Sequence, residues 1–288
     1  MTDGSFDGSR PATPKSVAMI GGGQMALALS EGFCRAGLLQ ASEIIVYDPH
    51  PAARERLAGR VPGICFASGG AEAVRAAKLI FLAVKPQQAQ GACAEISPGL
   101  AADSVVVSIV AGLSTATLAG FLGTQKIVRV MPNTPSLVGR GVSVVCRTQQ
   151  ISSSEALRVR TLLSAVGHVH ETNESLMNGV TGLSGSGPGF LAMVVEALVE
   201  GGVQAGLPAP LALSLAIETL AGTAALLEQT GEQPAQVRER VSSPGGTTLA
   251  GLAVLEQHGV AAAISAAVVA AATRAKELGE QSARQTAR

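Results

Sequence analysis

The chain has almost no aromatic side chains: 2% of its 288 residues, with no Trp and a single Tyr, Tyr47. Proteins that grip single-stranded nucleic acid stack its bases on aromatic rings, so that mode of binding is excluded. Excess charge of either sign is also missing. Lys plus Arg and Asp plus Glu number 21 each, which leaves no basic face for a phosphate backbone. With 47% hydrophobic and 15% charged residues, the chain has what it needs to bury a sizeable core. Alanine and leucine must do most of that packing, which favours closely approaching helices.

Cysteine is scarce as well. Cys34, Cys65, Cys93 and Cys146 are widely spaced, form no C-x-x-C pair and sit in apolar surroundings. They are expected to be buried thiols of a reducing compartment. The four histidines lack metal-ligand spacing, and no metal site is expected. His168 and His170 alternate along "GHVHE", which places both on one face of a strand. No long hydrophobic run is evident: Val260 to Ala272 is too short and too alanine-rich to span a bilayer. Residues 1–14, "MTDGSFDGSRPATP", lack the apolar stretch of a signal peptide and are expected to be a disordered tail. The expectation is a cytoplasmic protein with neither a membrane nor a nucleic-acid partner.

The first half of the chain alternates between apolar runs and helical patterns. "SVAMI" (16–20), "EIIVY" (43–47), "LIFLAV" (79–84), "SVVVSIV" (104–110), "KIVRVM" (126–131) and "GVSVVC" (141–146) predict strands. Continuous apolar runs such as 79–84 belong to strands buried on both faces. Helical segments between most of them predict a parallel α/β sheet. Ser152 with Glu155 fits a capping box opening one more helix before the "HVH" strand. Near Asn173 the texture changes. Residues 191–204, 209–229, 232–241, 247–257 and 260–278 all predict helices, with Pro188, Pro208 and Pro234 near helix starts. The predicted domains are therefore 15–172, α/β, and 173–288, all helical. The helices are apolar on so many faces that part of their surface must meet another subunit.

"MIGGGQMA" carries Gly21-x-Gly23-x-x-Ala26 directly after the first strand and opening a helix. This is the context of a dinucleotide-binding turn. Its first glycine allows the tight bend, its second lets a pyrophosphate approach the backbone, and the small third residue lets helix and strand pack closely. Asp48 ends the second strand about 20 residues on, where an acidic residue can bond a ribose 2′-hydroxyl. His50, Arg54 and Arg56 follow and can face a 2′-phosphate, so the choice between NAD and NADP stays open. "AVKP" (83–86) and "MPNTP" (131–135) end two later strands at proline-bearing turns. That puts Lys85 and Asn133 at the carboxyl ends of the strands, where open α/β sheets bind ligands.

In the helical half, "RVSSPGGTTLAGL" (240–252) interrupts a helical pattern with Ser-Ser-Pro-Gly-Gly-Thr-Thr. Such a break serves either as a linker or as a helix start whose backbone N–H groups point at an anion. "SGSGP" (184–188) is a second glycine-rich helix start.

Taken together, "MIGGGQMA", "FLAVKP", "SIVAGL", "RVMPNTP", "TGLSGSGPGF" and "SSPGGTTLAGL" resemble, in order from Ser16 to Leu278, the pyrroline-5-carboxylate reductases. The last two motifs are the specific ones. The resemblance implies a Rossmann-like dinucleotide-binding domain followed by an all-helical dimerisation domain that interlocks with a second subunit. It implies NAD(P)H-dependent reduction of the C=N bond of 1-pyrroline-5-carboxylate to L-proline. NADPH is the cofactor implied, with NADH the alternative that Asp48 raises. By match to the family, Gly21, Gly23, Gln24 and Met25 would bind the cofactor pyrophosphate region, and Ala83, Val84, Lys85, Ala111, Gly112 and Asn133 would line the cofactor cleft. Ser243, Gly245, Gly246, Thr247 and Thr248 would hold the substrate; the imine nitrogen would be hydrogen-bonded by a hydroxyl such as that of Thr248 or by a bound water. A 3-hydroxyacid dehydrogenase of similar build would need a catalytic lysine in its helical domain, where only Lys276 stands.

Overall fold

The structure, a computed structural model, describes residues 15–286, with side chains to Gln281. The expected tail, 1–14, lies outside the described residues. The described chain divides into two compact units: 15–185 together with 272–286, and 186–271.

The first unit runs β1 (Lys15–Ile20), α1 (Gln24–Arg35), β2 (Ile44–Tyr47), α2 (Pro51–Arg60), β3 (Cys65–Phe66), α3 (Gly70–Arg75) and β4 (Ala77–Leu82). It continues with α4 (Ala89–Ile96), β5 (Val105–Ser108), α5 (Thr115–Leu122), β6 (Ile127–Met131), β7 (Gly141–Arg147), α6 (Ser153–Ser164) and β8 (Gly167–Glu171). The strands form one sheet in the order β3-β2-β1-β4-β5-β6-β7-β8. Strand order reverses between β1 and β4, because the chain first builds outward to β3 and then returns.

Side chains alternate across the sheet with the period of two that an extended backbone imposes. Val17, Met19, Leu79, Phe81, Val105 and Val107 face one core, which α1, α2 and α6 cover with Phe33, Leu57 and Leu162. Ala18, Ile20, Ile80, Leu82 and Val106 face the other, under α3, α4 and α5 with Val74, Ile96 and Leu118. The only aromatic pair among the described residues, Phe33 and Phe81, stacks at 5.6 Å between centroids in the first core. Truncating either ring to alanine would cost about 3–5 kcal/mol. Ser152 and Glu155 form the expected capping box at the start of α6. Of the four thiols, Cys93 and Cys146 are buried, whereas Cys34 and Cys65 are only half-buried, contrary to the expectation for all four.

Three features depart from the sequence reading. The two-residue strand β3 was not expected; it is too short to carry a pattern. The sheet is not wholly parallel, for β6 and β7 pair antiparallel. Their link is a short 3₁₀ turn, Thr134–Val138, closed by Gly139 at φ 73°. A connection that short reverses the chain, since parallel neighbours need a crossover. The first unit also runs beyond the expected boundary at 172. Helix α7 (Met177–Val180) and the π-helical turn Thr181–Gly185 stay with it because Met177 is fully buried against Val144 and Cys146.

The second unit is helical: α8 (Gly187–Gln204), α9 (Ala209–Thr230), α10 (Pro234–Arg240), α11 (Thr247–Gln257) and the start of α12 (Val260–Thr286). Helices α8 and α9 approach so closely that a Cβ on Gly202 would lie 3.1 Å from that of Ala212. Much of their apolar surface is uncovered by the described residues: Leu191, Met193, Leu198, Leu213 and Ile217 are all exposed. The helical stretch Glu174–Gln204 and α9 are each long and apolar enough, by length and composition, to cross a membrane. The sequence reading, which looked for unbroken apolar runs, had not marked either.

Candidate active site

Strand β1 is followed by Gly21, whose φ of 99° no other residue type adopts without strain. A Cβ there would stand 2.6 Å from the Ala83 carbonyl oxygen, so only glycine lets the turn lie against the end of β4. Gly23 caps α1 with its backbone and leaves open space where a side chain would be. Above this turn is a cavity of about 400 Å³ at the carboxyl edge of the sheet, within the range of small-molecule sites. Gly21, Gly23, Asp48, Ala83, Val84 and Lys85 line it. Gln24 and Met25 do not; Gln24 is exposed on the first turn of α1, and Met25 packs against the core. Tyr47, His50, Gln88 and Glu95 also line the cavity. Sequence reasoning had not marked Tyr47, at the end of β2, or Gln88 and Glu95, because no motif announces a side chain that reaches a cleft.

Asp48 is almost fully buried and closely bound. Its Oδ2 accepts from the Gly22 N–H at 2.6 Å, and its Oδ1 accepts from the His50 N–H at 2.8 Å and meets His50 Nδ1 at 3.1 Å. Burial by itself would raise the carboxyl, but the hydrogen bonds from Gly22 and His50 hold it below its usual value. The neighbouring cations are anchored too: Arg54 donates to the Asp48 carbonyl at 2.7 Å and Arg56 to the Gly22 carbonyl at 3.0 Å. The two loops that frame this end of the cavity are therefore tied together through Asp48 and Arg56.

Asn133 stands at the end of β6 but outside this cavity's lining. Its Oδ1 accepts from the Val142 N–H at 2.8 Å and its Nδ2 donates to the Ser184 carbonyl at 3.1 Å. It thus fixes the "SGSG" turn onto the sheet. At Gly185 in the same turn a Cβ would lie 2.4 Å from Met131 Cε, so the Met131 side chain packs directly over the glycine. Ala111 and Gly112 lie beyond β5 in a turn tied down by Glu174, whose Oε2 accepts from the Thr115 N–H at 3.2 Å. Glu174 also pairs with the buried Arg129 and accepts from Cys146 Sγ at 3.2 Å. Burial, reinforced by Glu174, pushes the Cys146 thiol up to about 12, so it stays protonated and donates to the carboxylate. Sequence reasoning missed this cluster, whose members come from separate elements.

In the second unit, the loop before α11 has the geometry of an anion cradle. Gly245 takes φ 70°, and Gly246, the N-cap of α11, would bring a Cβ within 2.5 Å of Ser243 Oγ. The Gly246 N–H bonds the Ser243 carbonyl at 2.9 Å. The first-turn N–H groups of Thr247, Thr248 and Leu249 have no intrahelical acceptor and carry the positive end of the helix dipole. Thr248 is half-buried at the second helical position, not at the cap.

A glycine turn and a cavity at the point where strand order reverses in a mostly parallel sheet define a dinucleotide-binding α/β protein. The chain belongs to the pyrroline-5-carboxylate reductase family. Residues 174–278 match the model described as pyrroline-5-carboxylate reductase dimerisation, and residues 16–112 match that of NADP oxidoreductase, coenzyme F420-dependent. The chain is 41% identical to a pyrroline-5-carboxylate reductase of Synechocystis over 92% of its own length and 98% of the relative. It is 37% identical to that of Pisum sativum over 91% and 96%. Among solved structures, pyrroline carboxylate reductase of Plasmodium falciparum with NADP bound superposes with a TM-score of 0.85 at 30% identity, covering 92% of this chain and 98% of that one. The pyrroline-5-carboxylate reductase of Coxiella burnetii gives 0.83 at 30% identity, over 92% and 99%.

Proposed function

We propose that the chain reduces 1-pyrroline-5-carboxylate to L-proline, with NADPH as the preferred donor and NADH as an alternative. The observation that carries this reading is the intact loop Ser243–Thr248. A left-handed Gly245 and a side-chain-free Gly246 open an eleven-residue helix, and such a helix start favours a carboxylate. The NADP-bound relative supports the choice of cofactor.

The cavity at the Gly21–Gly23 turn fits a dinucleotide: Gly21 and Gly23 in its lining present backbone with no side chain, and the N–H groups opening α1 have no side-chain cap. Gly21, Gly23 and the backbone N–H groups of Gln24 and Met25 on the first turn of α1 would take the pyrophosphate, and Ala83, Val84 and Lys85 would flank it. Bound NADPH supplies the hydride for the imine carbon. The chain's own task is to position and polarise. The loop Gly245–Gly246 and Thr247 hold the carboxylate at the start of α11, through the first-turn N–H groups that have no intrahelical acceptor, while Ser243 closes the loop by accepting the Gly246 N–H. Thr248 Oγ hydrogen-bonds the nitrogen. Most of the acceleration then comes from orientation; the nitrogen takes up one proton as the carbon takes the hydride, from solvent through the Thr248 hydroxyl or a bound water, and no histidine or carboxylate has to act as general acid.

The exposed apolar faces of α8 and α9 are read as a subunit interface, and the family model for 174–278 supports protein over lipid as the covering surface. An interlocked homodimer in the cytoplasm, binding neither membrane nor nucleic acid, follows from that reading. The deciding experiment is oxidation of NADPH and of NADH, side by side, in the presence of pyrroline-5-carboxylate. The expected result is turnover with both and a higher kcat/KM for NADPH. No turnover with either would overturn the proposal.

A further inference from the structure

The tail of α12 returns to the first unit and meets the turn that follows β5. Ala275 on that tail is buried. Gly112, at the centre of the turn, takes φ 81° and is itself buried. A Cβ on Gly112 would lie 3.1 Å from the Ala275 carbonyl oxygen and 3.3 Å from Leu278 Cβ and the Gly279 nitrogen. From the other side, a Cβ on Gly279 would lie 2.3 Å from the Gly112 carbonyl oxygen. Two glycines thus let a helix backbone and a turn backbone touch directly, with no side chain between them that could yield.

The position of that turn gives the contact a consequence. Ile109 donates to the Leu82 carbonyl at 3.1 Å, so the turn 109–114 sits beside Ala83–Lys85 on the carboxyl edge of the sheet. The cavity at Gly21 and Asp48 lies toward β2. A dinucleotide with its adenosine end there runs past β4 toward β5, and its nicotinamide reaches the turn. The turn is held at Thr115 by Glu174 and at Gly112 by α12.

We propose that Ala275, Leu278 and Gly279 of α12 form a strut that sets the shape of the cleft at its nicotinamide end, with Gly279 as a positioning residue acting through Gly112. The inference rests on the cofactor assignment above. Its chemistry is purely steric: a methyl group on residue 279 must displace the Gly112 peptide, and a misplacement of about 1 Å near a reacting group is costly. The helix itself would tolerate the change, since alanine is the better helix former.

The test is Gly279→Ala, with Gly279→Val as the stronger variant and Lys276→Ala, whose side chain is exposed on the same helix, as control. NADPH is titrated by its fluorescence, and 2′,5′-ADP, which has the adenosine end but no nicotinamide, by calorimetry. Gly279→Ala should weaken NADPH by about tenfold, or 1.4 kcal/mol, and leave 2′,5′-ADP and the Lys276→Ala control unchanged. Unchanged NADPH binding in both Gly279 variants would overturn the strut. So would equal losses for NADPH and 2′,5′-ADP, which mean general disruption, or an equal loss in Lys276→Ala. Failure of the wild-type protein to bind NADPH would overturn the cofactor reading instead.

Discussion

The carboxylate of Asp48 accepts the N–H of Gly22 at 2.6 Å, joining the end of β2 to the glycine turn after β1. The same carboxylate holds the N–H and ring of His50. An acidic residue expected to serve a ribose hydroxyl is, in the fold, a brace between two loops of the cofactor cavity.

Asp48→Ser removes that brace and leaves the buried Gly22 N–H without its acceptor. NADPH and NADH should both weaken by about tenfold or more, as expected for losing a hydrogen bond to a charged group, and the melting temperature should fall. Binding titrations with both cofactors check this. A change confined to NADH would mean that the carboxylate serves the ribose instead.

Asn133→Ala strands two half-buried groups, the Val142 N–H and the Ser184 carbonyl. The expected cost is about 2–4 kcal/mol, or a drop in Tm of roughly 5–10 °C. Because Asn133 anchors the "SGSG" turn, calorimetric melting should be paired with kinetics. A normal Tm would show that water replaces the amide.

Thr248→Ala separates contact from capping. Gly246 is the N-cap of α11, so loss of the Thr248 hydroxyl should leave stability within about 0.5 kcal/mol. If the hydroxyl bonds the substrate nitrogen, kcat/KM should fall by roughly 10- to 200-fold. Normal turnover in a stable variant would remove Thr248 from the site.

Glu155 supplies a pH dependence. The hydrogen bond from Lys126 first, and those from the Ser152 cap, outweigh burial and bring its carboxyl down from 4.5 to about 2. A carboxyl depressed by folding stabilises the protein fully above its unfolded value, and the contribution is lost as pH falls from about 4.5 toward 2. Both partners are roughly a quarter exposed, so the effect is about 0.5–1 kcal/mol. Glu155→Gln keeps the capping box and should be less stable than wild type at neutral pH, with the difference vanishing near pH 2. Melting curves across that range decide it.

The sequence by itself determined the strands that carry unbroken apolar runs, the glycine turn after β1, the capping box of α6 and the two-part build. Each of these is local: period, cap and turn residues act within a few positions of one another. It also placed Gly21, Gly23, Ala83 and Lys85 at one edge, because all strands that follow crossovers end on the same side. Tertiary structure decided the rest. Whether β7 runs parallel or antiparallel depends on the path of a nine-residue link, 132–140, not on its strand pattern. That Asp48 braces Gly22, that Asn133 holds Ser184 and that Gly279 lies on Gly112 are meetings of residues far apart in the chain. No periodicity encodes such contacts, because they exist only once two packed backbones have fixed the space between them.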